Sequence, residues 1–434
     1  MTTAADSPAQ PASEVLPTGL AVRVFLTFAF SYFFSALIRT ITATLSPTLT
    51  VEFSLSASDL GLLAGGYFLG FSATQLPLGT WLDRYGPRIV LSFFLGIAVL
   101  GCLAFSQATG FAGLLGARML CGVGVSACLM APLTAYRRWF DVPAQLRANS
   151  WMLMTGSLGM VASSLPVQWL MPLVGWRPLF LGLAVLVSLA ILMVAWQVPS
   201  WPTASAGSAA GPAVAADGSR QRVGVWASYT DVWRNPYFRR MVPVGFFCYG
   251  GLLAMQTLWV VPWMTRVAGY TPHQAATGFF WINVAMLCTF WAWGLVSPRL
   301  AQRGIRAESV IAWGLPASFV LLALLVLVGD GLRSGVEVLL ALYCMGCSCV
   351  SLSQPAVGMA FGQALAGRAL SGYNLVLFVG IFSVQWGIGL AIDGLRALGF
   401  SEVNAFRGAF TAFLLCCIAS YWHFVGSQPA AQKG

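Results

Sequence analysis

The chain has 434 residues, of which 58% are hydrophobic and only 8% charged, with a mean hydropathy of +0.78. A soluble chain averages about 25% charged residues, so this composition excludes a water-soluble globular domain and places most of the chain in lipid. The formal net charge of +10 does not argue for nucleic acid, because most Lys and Arg fall on one side of the topology below, which makes the charge an orientation signal.

Residues 1–19 are polar and lack both a basic start and an apolar core, so they read as a cytoplasmic tail rather than a signal peptide. Apolar runs then follow at 20–45, 58–80, 88–107, 109–136, 147–170 and 177–197, and again at 239–265, 274–297, 307–328, 335–362, 368–392 and 402–425. Runs that approach or exceed ~18 residues, without short alternating strands, predict membrane-spanning helices rather than a barrel. The expected fold is an all-α polytopic membrane protein with twelve spans and both termini cytoplasmic. Its units are a six-helix bundle over 20–198, a central linker over 199–236 and a second six-helix bundle over 237–434. The linker is rich in Ala, Gly, Ser and Pro before gathering Arg220, Arg222 and Arg234, a flexible composition with a basic end on the cytoplasmic surface.

Ser56-x-x-Asp59 reads as a capping arrangement that starts the second span, and Gly61, Gly65, Gly66 and Gly70 then line a flank that lets a neighbour approach closely. Between the second and third spans lies Gly79-Thr80-Trp81-Leu82-Asp83-Arg84-Tyr85-Gly86-Pro87-Arg88. Glycines suit such a turn because they permit positive φ. Asp83 can pair with Arg84 or Arg88, or face the positive end of a neighbouring helix. The halves also look like repeats. With a shift of 215, Pro47 falls on Pro262 and Gly79 on Gly294; with a shift of 217, Val167-Gln168-Trp169 falls on Val384-Gln385-Trp386. Paired halves with weak internal similarity are how many secondary transporters are built.

The 79–88 segment resembles the loop 2–3 signature of the major facilitator superfamily (Gly-x-x-x-Asp-Arg-x-Gly-x-Arg). Leu114-Leu115-Gly116-Ala117-Arg118-Met119-Leu120-Cys121-Gly122-Val123-Gly124 is similar to that family's span-four pattern, with Cys121 where glutamine is usual. Gly175-Trp176-Arg177 looks like its turn into span six. The family's span-five antiporter pattern, Gly-Pro-x-x-Gly-Gly, is not matched: Gly156 and Gly159 are present but Pro166 follows leucine, which argues against drug-type antiport. The resemblance implies two pseudo-symmetric bundles that rock around a central cavity lined by spans one, four, seven and ten. It also implies that Gly79, Asp83, Arg84, Gly86 and Arg88 form a latch closing the cytoplasmic side in the outward-open state.

Arg39 and Arg118 lie within spans at similar depth. An intramembrane arginine costs at least ~2.5–3.5 kcal/mol at the helix centre, so it faces a cavity or a partner. Two guanidinium groups with no carboxylate at matching depth suit an anion, held in bidentate fashion. The alternative for Arg118 is a hydrogen bond to carbonyls of adjacent helices. The acidic residues Asp83, Asp141, Asp231, Glu308, Asp330, Glu337, Asp393 and Glu402 lie near the surfaces; Asp393, at the outer end of span eleven, is the nearest candidate for a titrating carboxylate. Gln75, Gln168, Gln256, Asn283, Gln354, Asn374 and Gln385 supply uncharged polar groups, each able to serve either substrate or interhelical contact, the latter worth ~1 kcal/mol. Tyr32, Tyr249 and Trp259 could form aromatic walls. The expected substrate-binding set is Arg39, Arg118, Gln168, Gln256, Gln385 and Asn374.

Cys344-x-x-Cys347-x-Cys349 sits in an apolar run without a nearby histidine, which favours packing over a metal site. No Gly-x-x-x-x-Gly-Lys-Ser/Thr loop is present, so ATP does not drive the process directly, and two distant histidines give a catalytic cluster little material. No cofactor is expected. The leading expectation is a monomeric secondary transporter of a small organic or inorganic anion in the cell inner membrane, coupled to a proton or to substrate exchange. The competing readings are an exporter of lipophilic or cationic compounds and a membrane receptor that binds a metabolite without moving it.

Overall fold

The computed structural model describes residues 15–201, 225–329, 331, 334–361 and 363–427. Asp330, Arg220 and Arg222, most of the tail and the Ala/Gly/Ser-rich part of the linker lie outside them. The described residues form helices joined by short turns, with no strand. Among the described residues ten helices are long and apolar enough to cross a membrane, and eleven when 143–162 and 165–174, bent by 43° between them, count as one span. The remaining element, Ala57–Ala73, is too short alone. It runs through Thr74 into Gln75–Ser106, where Gly86 (φ 76, ψ 166) breaks the helical path. Dividing the chain at Gly86 gives a second span over 57–85 and a third over 87–106, the numbering used below.

In order, the others are span one (Thr18–Phe53), four (Phe111–Trp139), six (Trp176–Gln197), seven (Pro236–Arg266), eight (Pro272–Gln302), nine (Ala307–Val328), ten (Val336–Ala360), eleven (Gln363–Ala397) and twelve (Glu402–Gly426), with 142–174 as the bent fifth. Inner and outer below follow the positive-inside reading.

Span one reaches eight residues beyond its expected end and tolerates Pro47, because the Ser46 hydroxyl donates to the Ala43 carbonyl (2.7 Å) that the proline cannot serve. Ser56 and Asp59 form the expected capping box. The Gly175-Trp176-Arg177 turn works through a residue the sequence reading did not single out: the Trp176 Nε1 and Arg177 side chains both donate to the Glu52 carboxylate (2.7 and 2.6 Å). This ties span one to span six at the outer surface. The four glycines of span two serve two neighbours rather than one: Gly61 and Gly65 abut Gln385 and Phe382 of span eleven, whereas Gly66 and Gly70 abut Leu115 and Met119 of span four. A Cβ at Gly61 would collide with the Gln385 carbonyl, so this seam between the halves depends on glycine.

Span seven departs most from a regular helix. It contains two π-helical turns, Gly245–Tyr249 and Met255–Trp259. Such turns mark functional positions because the extra residue redirects side chains on one face. The thiols of Cys248, Cys347 and Cys417 donate to backbone carbonyls of neighbouring spans. Among the described residues no three His, Cys, Asp or Glu side chains are grouped to hold a metal ion.

Candidate functional site

Arg39 projects from span one against Tyr67 of span two, with Tyr32 and, from span seven in the other half, Tyr249 around it. Its Nε is sealed from solvent and has no hydrogen-bond partner. Among the described residues the ion pairs are Arg177–Glu52 and Arg266–Glu402, both near the outer surface. Arg39 therefore has no carboxylate counter-charge there. A cation held in a low-dielectric seam without one attracts an anion strongly.

Arg118 behaves differently. It is fully buried, its two terminal nitrogens donate to the carbonyls of Ile38 (2.8 Å) and Arg39 (3.3 Å), and its guanidinium lies 5.1 Å from the centre of the Tyr67 ring. This is the backbone-carbonyl alternative. Arg118 grips span one at the turn that carries Arg39, and Tyr67 touches both arginines. Tyr67 was not singled out from sequence; its position directly after Gly66 in the glycine-lined flank was the available signal.

Gln256, from the second π-helical turn, is fully buried and donates from Nε2 to Asn283 Oδ1 (3.1 Å); Gln385 donates from Nε2 to Thr257 Oγ1 (2.7 Å). Gln256 Oε1, Gln385 Oε1 and Asn283 Nδ2 are buried without partners, so spans seven, eight and eleven present unspent amide valences. The other two expected residues stand apart. Gln168 is half-buried in the outer arm of span five. Asn374 pairs with Gln354 between spans ten and eleven, next to Tyr373, whose hydroxyl donates to the Met241 carbonyl near the inner end of span seven.

The halves close against each other on the outer side. Along spans two and eleven the seam runs from Ala57 against Gly389, through Gly61 against Gln385, to the Phe71 and Phe378 rings 4.4 Å apart. Its outer end is pinned by Asp393, whose two carboxylate oxygens accept from the backbone N–H groups of Ala57 (3.1 Å) and Ser58 (2.8 Å). On the inner side, Asp83, Arg84 and Arg88 form no ion pair among the described residues. Arg137 of span four lies near Asp83, and the Arg84 guanidinium is 5.2 Å from the Tyr85 ring centre. Trp201, at the start of the linker, covers Gly86 so closely that any side chain there would collide, and it packs edge-on to Trp139 beneath the Arg138 guanidinium.

Residues 28–392 match the sequence model of the Major Facilitator Superfamily. The chain belongs to that superfamily. It is thus a multi-pass membrane transporter rather than an enzyme. Similar superfamily proteins include the probable L-galactonate transporter of Escherichia coli K12, 26% identical over 42% of this chain and 41% of that one. The chain thus matches less than half of that relative's length. The probable sulfoacetate transporter SauU of Cupriavidus necator is 25% identical over 70% of this chain and 72% of its own. The fold resembles that of a bacterial homologue of the human lysosomal transporter Spinster, solved in an inward-facing, unoccupied conformation, with a TM-score of 0.75 at 15% identity over 95% of this chain and 98% of that chain.

Proposed function

We propose that this superfamily member is a secondary transporter that carries a small organic anion across the cytoplasmic membrane by alternating access, working as a monomer with both termini in the cytoplasm. The observation that carries the reading is Arg39, a guanidinium that has no carboxylate partner among the described residues, at the seam where spans one, two and seven meet. The named substrates of the two relatives, a sugar acid and a sulfonated acetate, are anions of the kind a guanidinium binds. Gln256, Asn283 and Gln385 would complete the site with amide contacts, and Tyr32, Tyr67 and Tyr249 would wall it. Arg118 would hold span one so that Arg39 faces the anion. The closed outer seam and the unpaired inner loop support an inward-facing state of the cycle.

The test is flux in proteoliposomes of purified protein, with carboxylates and sulfonates offered against lipophilic cations. Saturable movement of one anion class, with none of the cations, is the expected result. Flux of the cations alone would promote the exporter, and tight anion binding without flux the receptor.

In the proposed cycle Asp83, Arg84 and Arg88, set around the break at Gly86 with Gly79 in the helix before it, close the inner side when the outer side opens. Asp83→Ala should then leave substrate affinity intact and slow turnover about fivefold, the scale of one charge–helix-end contact. An unchanged turnover in protein of normal yield would count against the latch.

A further inference from the structure

On the face where spans seven and twelve meet the linker, a pocket of about 540 Å³ is lined by Trp233, Pro236, Arg239, Arg240, His423 and Ser427. Arg240 is 3% exposed. Its Nε donates to the Phe424 carbonyl (2.7 Å) and its guanidinium lies 4.4 Å from the Phe424 ring centre. Its two terminal nitrogens have no hydrogen-bond acceptor among the described residues. Glu308 faces it but accepts from the Tyr237 hydroxyl (2.5 Å) and forms no ion pair with it. Such a buried cation, with its fork unspent and an exposed Arg239 beside it, is a built site for a tetrahedral anion.

The surroundings identify that anion as part of a lipid. The pocket lies at the inner ends of two spans, in the basic, interfacial zone of the proposed topology. Helix Val225–Arg234 lies against it and places Trp233, 42% exposed, at its rim, where tryptophan commonly sits at headgroup level. Leu415 and Trp422 of span twelve are exposed and continue an apolar face toward the pocket, a path for acyl chains. Basic pockets between spans on the cytoplasmic side bind anionic headgroups. We propose that this pocket binds the phosphate of an anionic phospholipid of the inner leaflet, gripped by Arg239 and Arg240 and flanked by His423 and Trp233. The bound lipid would staple the linker helix to the ends of spans seven and twelve. The proposal does not depend on which substrate the transporter moves.

The experiment measures lipid retained by the purified protein by native mass spectrometry, together with its melting temperature, after addition of phosphatidylglycerol, phosphatidylcholine or inorganic phosphate. Phosphatidylglycerol should be retained and raise the melting temperature. The Arg239→Gln/Arg240→Gln variant should bind it roughly tenfold more weakly, as expected for loss of charge-assisted contacts. If burial of position 240 prevents folding, Arg239→Gln/His423→Gln, which alters only exposed side chains, should weaken retention in the same direction. The control Arg303→Gln/Arg306→Gln removes two charges from the same face and should retain the lipid as wild type does. Equal loss in the control would reduce the effect to surface charge and overturn the site. Equal stabilisation by phosphatidylcholine, or by inorganic phosphate alone, would also overturn it, the latter by making the pocket one for free anions.

Discussion

Alanine in place of Arg39 is expected to abolish saturable anion transport while leaving the ligand-free protein at least as stable as wild type. The two effects have opposite signs for one reason. In the empty protein the guanidinium has lost much of its hydration and gained no carboxylate, so removing it relieves a cost. With an anion bound, the same group supplies charge-assisted hydrogen bonds worth about 1.5–3 kcal/mol each. Losing a bidentate pair should weaken binding by roughly 10²–10⁴-fold. Lysine keeps the charge but not the fork, so Arg39→Lys should fall between the two. Arg118→Ala should behave in the other way. It removes two carbonyl contacts and the Tyr67 ring contact, leaves a cavity, and should lower the melting temperature before any ligand is added. Thermal shift with and without a transported carboxylate or sulfonate measures both quantities. Ligand stabilisation that survives Arg39→Ala would end the anion site.

Much of this is legible in the sequence. Apolar length alone located the spans, since a run long enough to cross lipid has few other uses. The loop signature also predicted a break between spans two and three, where Gly86 takes a positive φ. The roles of the two arginines were less legible. Both are isolated cations in apolar helices, and only three-dimensional packing separates Arg118, which spends its fork on Ile38 and Arg39, from Arg39, which has no such carbonyls. The π-helical turns of span seven left no trace in hydrophobic periodicity, because one extra residue per turn shifts side chains without changing their chemistry. The repeat-equivalence of Gln168 and Gln385 suggested matching roles. The structure gives Gln385 a place at the seam with span two and leaves Gln168 in the outer arm of the bent fifth span. A repeat constrains the backbone path more tightly than the side chains mounted on it.

Asp393→Asn is expected to loosen the outer closure and shift the protein toward an outward-open state. The argument starts from the N-terminus of helix Ala57–Ala73, which has N–H groups that no helical carbonyl can serve. Ser56 and Asp59 satisfy each other through the capping box, which uses the Asp59 and Ser56 N–H groups and leaves those of Ala57 and Ser58. Asp393 takes both from across the molecule, so one carboxylate completes the cap and joins the two halves. The positive end of the helix adds an attraction that the neutral amide would lose. Together these terms amount to about 1–3 kcal/mol, or roughly a 5–150-fold change in the ratio of the two states. Spin labels at Val51 and Leu398, which are 79% and 76% exposed on the outer side, would report the separation once the exposed Cys288 and Cys416 are replaced by serine. A longer distance in the Asp393→Asn variant is the expected result, and an unchanged distribution would sink the idea. Because the cap must break in every cycle if the halves alternate, its strength sets how often the outer side opens. The variant should therefore also bind substrate more weakly from the inner side, by the factor by which the inward-facing population falls.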